Sequence, residues 1–158
     1  MSKLSFSRGF TLIELMVTVS ISAILVGIGA PMMTSVIERN AVAGHTNSFM
    51  GSISLARSEA IKRGVAVVMC RSDNPEAAAP VCASSGTAWV SGWIVFADRN
   101  NNGQMDSASA NSDVLLRVQG AVTDSGGIAQ NTFTNLVFRP TGLMSSGAST
   151  ITFDSKSQ

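Results

Sequence analysis

The chain has 158 residues, 45% of them hydrophobic and 13% charged, with a formal net charge of +1 and a mean hydropathy of +0.27. That length allows one domain of modest size plus an appendage. Between Asn40 and Gln158 eight Lys/Arg stand against eight Asp/Glu, so no net field recommends nucleic acid or an anionic surface as a partner.

The apolar excess is local. Residues 15–37 form a run of 23 without a charge, and a helix needs roughly 20 apolar residues to cross a bilayer core. A secretory signal has an apolar stretch of about 7–15 residues and then a small-residue cleavage site. Here the stretch is longer, its small residues Gly27-Ile28-Gly29-Ala30 run into Pro31, and no cysteine follows for lipid attachment. Lys3 and Arg8 precede the run, and behind it only Arg39 lies close, beside Glu38. The basic end is expected to stay cytoplasmic and the remainder to cross the membrane.

The junction ahead of the run is Arg8-Gly9-Phe10-Thr11-Leu12-Ile13-Glu14. Thr11 and Glu14 have capping-box spacing, and a carboxylate suits a helix N-terminus. A short basic leader, a glycine, a phenylalanine, a glutamate and a long uncharged helix follow in order over residues 1–33. This order resembles the prepilin signal of type IV filament proteins. The resemblance implies a leader, 1–9, removed after Gly9 by a prepilin peptidase, with N-methylation of Phe10. It implies a helix retained in the lipid of the inner membrane as a single pass, with a periplasmic head that enters a filament. Glu14 would pair with the Phe10 amine of a neighbouring pilin or pseudopilin through the N-terminal helices, and Pro31 would kink the helix. A carboxylate among apolar helices is tolerable only with a partner. Capping acts within one chain and pairing between chains, so the two roles are compatible.

Past Pro31, Ile37, Ala41, Phe49, Ile53, Ala56 and Ala60 recur at three- and four-residue spacing and make one apolar stripe. Lys62 and Arg63 suit a helix C-terminus and Gly64 the position after it. The spacing predicts one helix over residues 10–63, roughly 80 Å long at 1.5 Å per residue. Its first part (10–33) belongs to lipid or the filament core, and its second (34–63) lays the stripe on a globular head (64–158). His45, the only histidine, falls on the stripe between Ala41 and Phe49 and reads as a half-buried structural residue.

After Gly64 the pattern changes to period two or short continuous apolar runs. Residues 65–70, 93–97, 114–118, 136–139 and 150–153 are strand-like and are separated by Gly, Asn and Ser clusters. Short strands without intervening helical pattern predict antiparallel sheets. Trp89 and Trp93 are assigned to the core, because no aromatic platform with basic neighbours surrounds them. Residues 77–80 and 107–112 are low in complexity and are expected as surface loops.

Cys70 and Cys82 are the only cysteines, set across a loop that holds Asn74-Pro75 and Ala79-Pro80. Their spacing excludes a CxxC redox pair, and one histidine cannot complete a metal site. In an exported domain such a pair is expected as a disulfide, and closing a loop of this size is worth about 3 kcal/mol.

The loop from Asp98 to Asp106 is the one candidate for metal chemistry. Asp98, Asn100, Asn102 and Asp106 offer oxygen at the first, third, fifth and ninth positions, with Gly103 at the sixth, which is the calcium-loop pattern. Ser109 at the twelfth cannot supply the bidentate carboxylate, so affinity for calcium should be weak. The competing reading is an Asn102-Gly103 hairpin turn. No cofactor is expected, and no nucleophile–base pair, metal cluster or phosphate-cradling loop supports an enzyme.

Three stretches of the head, residues 55–64, 92–98 and 114–118, resemble the minor pilins and pseudopilins of the GspH/FimT type. The implied fold is α+β: a long N-terminal helix packed on an antiparallel two-sheet β head, type IV pilin-like. The implied role is a structural subunit of a type II secretion pseudopilus or a type IV pilus, acting with other pilins in filament assembly. The alternative is a DNA-binding minor pilin of natural transformation. Such relatives carry a basic Gly-Arg-x-Arg motif near the C-terminus, whereas here Gly142 is followed by Leu143, Met144 and Ser145.

Overall fold

A computed structural model describes residues 9–106, 113–122, 127–131, 135–145 and 150–154, the side chains of 30–32, 34 and 35 excepted. Among the described residues one helix, α1 (Leu12–Arg63), precedes six strands. These are β1 (Ala66–Arg71), β2 (Trp93–Asp98), β3 (Val114–Gln119), β4 (Gly127–Gln130), β5 (Leu136–Phe138) and β6 (Ile151–Asp154). The chain divides into two compact units, Met1–Ile37 and Glu38–Gln158.

α1 starts at Leu12 rather than Phe10 because Thr11 is its N-cap. The Thr11 Oγ1 accepts the Glu14 N–H at 3.3 Å, and the Thr11 carbonyl accepts the Leu15 N–H at 3.2 Å. These bonds satisfy donors that the first turn leaves without partners. The other end falls where the sequence places it. Gly64 takes φ 67°, a conformation that suits a residue without Cβ, and returns its N–H to the Ala60 carbonyl at 3.0 Å. Lys62 and Arg63 both pair with Glu59 in the last turn.

The head is a four-stranded antiparallel sheet, in the order β3-β2-β1-β5, and a two-stranded antiparallel sheet of β4 and β6. Each expected strand is present, its ends shifted by a residue at most. β4 is additional. The Gly-Ile-Ala-Gln of β4 carries one β-branched residue, so neither alternation nor propensity marks it. β4 is recruited by its neighbours: Ile128 accepts the Trp89 N–H at 2.7 Å and Thr87 accepts the Gln130 N–H at 2.9 Å, so residues 87–89 flank β4 opposite β6.

β1 and β2 are buried almost throughout because both faces of the larger sheet are covered. This explains why they read as continuous apolar runs rather than as alternation. On the inner face Val67 and Met69 of β1 and Trp93, Val95 and Ala97 of β2 join Phe49, Ala56 and Ala60 of α1 in the main core. Phe49 packs edge-to-face on Trp89, Trp93 and Phe153, with centroids 5.1 to 5.6 Å apart. Both indole N–H groups are satisfied, Trp93 by Ser52 Oγ at 2.9 Å and Trp89 by Gln130 Oε1 at 3.1 Å. On the outer face Val68, Cys70, Ile94 and Phe96 form a second cluster with Cys82, Met105 and Val137. Part of this cover, Cys82 and Met105, comes from loops.

Candidate functional site

The chemistry of the N-terminal unit lies in what its helix leaves unsatisfied. Residues Leu12–Gly29 have a mean hydropathy of 2.2 and none is buried against the rest of the chain. Eighteen residues of helix span about 27 Å, close to the thickness of a hydrocarbon core of about 30 Å. Apolar side chains from Leu12 through Ile28 stand at least half exposed, a surface that in water would cost roughly 25 cal/mol per Å².

The hydroxyls in this segment are spent within the helix. Thr18 Oγ1 donates to the Leu15 carbonyl at 2.9 Å, Ser20 Oγ to Met16 at 2.7 Å, and Ser22 Oγ to Thr18 at 2.7 Å. Such back-bonding lets a hydroxyl enter lipid without an orphan donor. Glu14 is different. Its backbone N–H is capped by Thr11, yet its carboxylate makes no ion pair among the described residues. Gly9 and Phe10 precede the helix in open chain, and Phe10 is 76% exposed. Gly9, Phe10 and Glu14 are therefore accessible together at one helix end. Pro31 falls inside α1, and its side chain lies outside the described residues.

In the head, Cys70 and Cys82 are joined by a disulfide, their Cα atoms 5.5 Å apart. The bridge pins the segment after Pro80 onto the outer face of β1. Beside it the Ala83 N–H donates to the Arg71 carbonyl at 2.7 Å, and the Arg71 guanidinium holds Asp73 and the Ser85 carbonyl.

Asp98, Asn100, Asn102 and Asp106 are brought into one loop, but Asn102-Gly103 is not a two-residue turn. The strands it joins pair as Ala97↔Val114, so the connection is long. Asp98, 2% exposed, accepts the Asn102 N–H at 3.3 Å and the Gly103 N–H at 2.8 Å. Asp106 Oδ2 accepts the side-chain amides of Asn100 at 2.9 Å and Asn102 at 2.6 Å. Asp113 is the residue that sequence reasoning missed. Its carboxylate takes the Arg99 N–H and the Asp106 N–H, both at 2.9 Å, and closes the base of the loop. The signal available was its position immediately before an apolar strand. Ser109 lies outside the described residues. Among the described residues no three His, Cys, Asp or Glu side chains gather as a metal site. His45 is half-buried, and its Nε2 has no hydrogen-bond partner among them.

Two known families match the chain. Residues 45–158 match the family described as type II transport protein GspH, and residues 4–30 match the prokaryotic N-terminal methylation motif. Comparison with curated proteins and with solved structures gives no match. The first match takes in the last part of α1 and every strand, and the second takes in the Gly9–Phe10 junction, Glu14 and the apolar segment.

Proposed function

We propose, for a chain that belongs to the GspH family of type II transport proteins, the role of a structural subunit in the filament of a type II secretion machine. The family is one of pilin-like pseudopilins, which assemble with other pseudopilins. In this reading a prepilin peptidase cuts after Gly9 and the new Phe10 amine is methylated. The helix Leu12–Gly29 holds the chain in the inner membrane, with the basic leader cytoplasmic and the head periplasmic, until it passes into the filament core. The role needs no catalytic group and no cofactor.

One observation carries the proposal. In a segment whose hydroxyls are all satisfied internally, Glu14 alone presents a charge that its own chain does not neutralise among the described residues. A charge of this kind in an apolar helix is tolerable when a partner chain supplies the counter-charge, and the processed amine of Phe10 on a neighbour is a cation of the right kind. The description of the family as a transport protein supports secretion as the setting. Intact mass of the protein purified from membranes of its native host tests the reading. A mature chain that begins at methylated Phe10 supports it, and an unprocessed chain or one cut near Pro31 overturns it.

A further inference from the structure

The Gly9–Phe10 bond lies just ahead of the residue that decides where α1 begins. Leu12 is the first helical residue, and Gly9, Phe10 and Thr11 stand outside the helix. Were α1 to run on toward the N-terminus, the Phe10 carbonyl would accept the Glu14 N–H and the Gly9 carbonyl the Ile13 N–H, in the usual helical pattern. The Glu14 N–H goes instead to Thr11 Oγ1, at 3.3 Å. The first carbonyl in the helical pattern is that of Thr11, which accepts the Leu15 N–H at 3.2 Å. Among the described residues no backbone N–H reaches the carbonyl of Gly9 or Phe10. The hydroxyl thus competes with the Phe10 carbonyl for one donor, and while it holds that donor the helix stops short of the bond.

The described residues give no reason of packing for the glycine beside that bond. A Cβ built at Gly9 meets no atom within 4 Å, and Phe10 is 76% exposed. A glycine that its own chain does not need for space fits close approach by another molecule.

We propose that Thr11 is a positioning residue for removal of the leader: its Oγ1 cap keeps the Gly9–Phe10 bond out of α1, in the extended form that a peptidase can grip. The inference rests on the reading in which a prepilin peptidase cuts after Gly9, and it adds what presents the bond. Hydrolysis takes up one water and breaks the bond between the Gly9 carbonyl carbon and the Phe10 nitrogen. It leaves a Gly9 carboxylate and a Phe10 amine. Extended peptides are recognised through their main-chain groups, and a helix running through the bond would spend those groups internally. The pull toward helix is strong beside lipid, where a free carbonyl has few other partners. Threonine is a poor helix former and a good cap, so both properties of residue 11 act in one direction.

Full-length precursor in detergent micelles, incubated with membranes of the native host as the source of peptidase, tests this through the initial rate of leader loss. Thr11→Ala removes the cap and favours helix. It should slow cleavage by up to about fivefold, the factor by which loss of a typical cap shifts the equilibrium at a helix end. Thr11→Ser and Thr11→Asn keep a capping oxygen and should stay within about twofold of the wild type. Asn differs from Thr in shape, so slow cleavage of Thr11→Asn would assign residue 11 to direct contact with the enzyme and overturn the proposal. Cα chemical shifts of the same precursors, without membranes, give a readout that contact with the enzyme cannot move. Residues 9–11 should be non-helical in the wild type and shift toward helical values in Thr11→Ala. Unchanged shifts in Thr11→Ala, or its cleavage at the wild-type rate, also overturn the proposal. The wild type separates the two layers of inference. If it is cut after Gly9 and Thr11→Ala is cut equally fast, only the role of Thr11 falls, whereas a wild type left uncut or cut elsewhere removes the processing reading as well.

Discussion

Trp93 Nε1 donates to Ser52 Oγ at 2.9 Å, joining β2 to α1 inside an otherwise apolar contact where both residues are fully buried. The same hydroxyl donates to the Ser48 carbonyl at 2.9 Å, so the serine is satisfied on both sides. Ser52→Ala leaves the indole N–H buried without a partner, a loss of about 1–3 kcal/mol. Chemical denaturation should show a lower midpoint with an unchanged slope. Ser58→Ala, on the exposed side of the same helix, should stay within about 0.5 kcal/mol of the wild type. Equal effects at the two positions would show that the buried bond contributes nothing.

The disulfide should act on one layer of the head. Cys70 and Cys82 belong to the outer cluster, while Phe49, Trp89 and Trp93 belong to the inner one. Cys82 Sγ also lies 4.0 Å from the Gly103 carbonyl, so the bridged segment and the Asx-rich loop meet. Reduction of the full-length protein should cost about 3 kcal/mol. Amide exchange should quicken in residues 72–92 and 99–106, with α1 beyond Phe49 and the centre of β1 keeping most of their protection. Uniform loss of protection would mean that the two faces form one cooperative unit. Two titratable thiols before reduction would contradict the bridge itself.

The end of α1 should sense pH. The hydrogen bond from Arg63, reinforced by the nearby charge of Lys62, holds the Glu59 carboxyl below the ordinary carboxylate range. A carboxyl depressed in the folded state adds stability above its unfolded pKa, and that stability is lost as pH falls through the folded value. The wild type should therefore exceed Glu59→Gln in melting temperature near neutral pH and converge with it in acid. The difference should shrink in high salt, because the pair is near the surface. A difference that persists at low pH would assign the effect to packing instead.

These relationships divide cleanly into those that sequence carries and those that it does not. The end of α1 was legible because a cationic last turn and Gly64 are local signals, and its start moved by two residues because Thr11 spends its backbone as a cap. The strands of the larger sheet were legible as apolar runs. β4 was not, since Gly127–Gln130 becomes a strand only through bonds to residues 87–89 and to β6. The partner of Trp93 lies 41 residues away, and Asp113 closes the Asp98 loop from beyond the expected ligand window. The stretch around Gly9 and Phe10 was legible as a linear motif, and residues 4–30 match the prokaryotic N-terminal methylation motif.

The sharpest test of function concerns Glu14, where a capping role and an assembly role predict different outcomes. Its N–H is already held by Thr11 Oγ1 at 3.3 Å, and Gln serves at the same position of a capping box. Glu14→Gln thus keeps the helix start and removes only the charge. If Glu14 acts within its own chain alone, the variant should enter filaments at near-normal levels. If it meets the Phe10 amine of a neighbour, the variant should be cleaved and inserted normally and yet be depleted from sheared filaments. An unpaired amine left among apolar helices costs several kcal/mol per contact, which is enough to deplete the variant by tenfold or more. The measurement is the ratio of filament-borne to membrane-borne protein at equal expression. Glu14→Asp, which keeps the charge on a shorter arm, should fall between the two, and an unchanged ratio for Glu14→Gln would leave Glu14 as a helix cap.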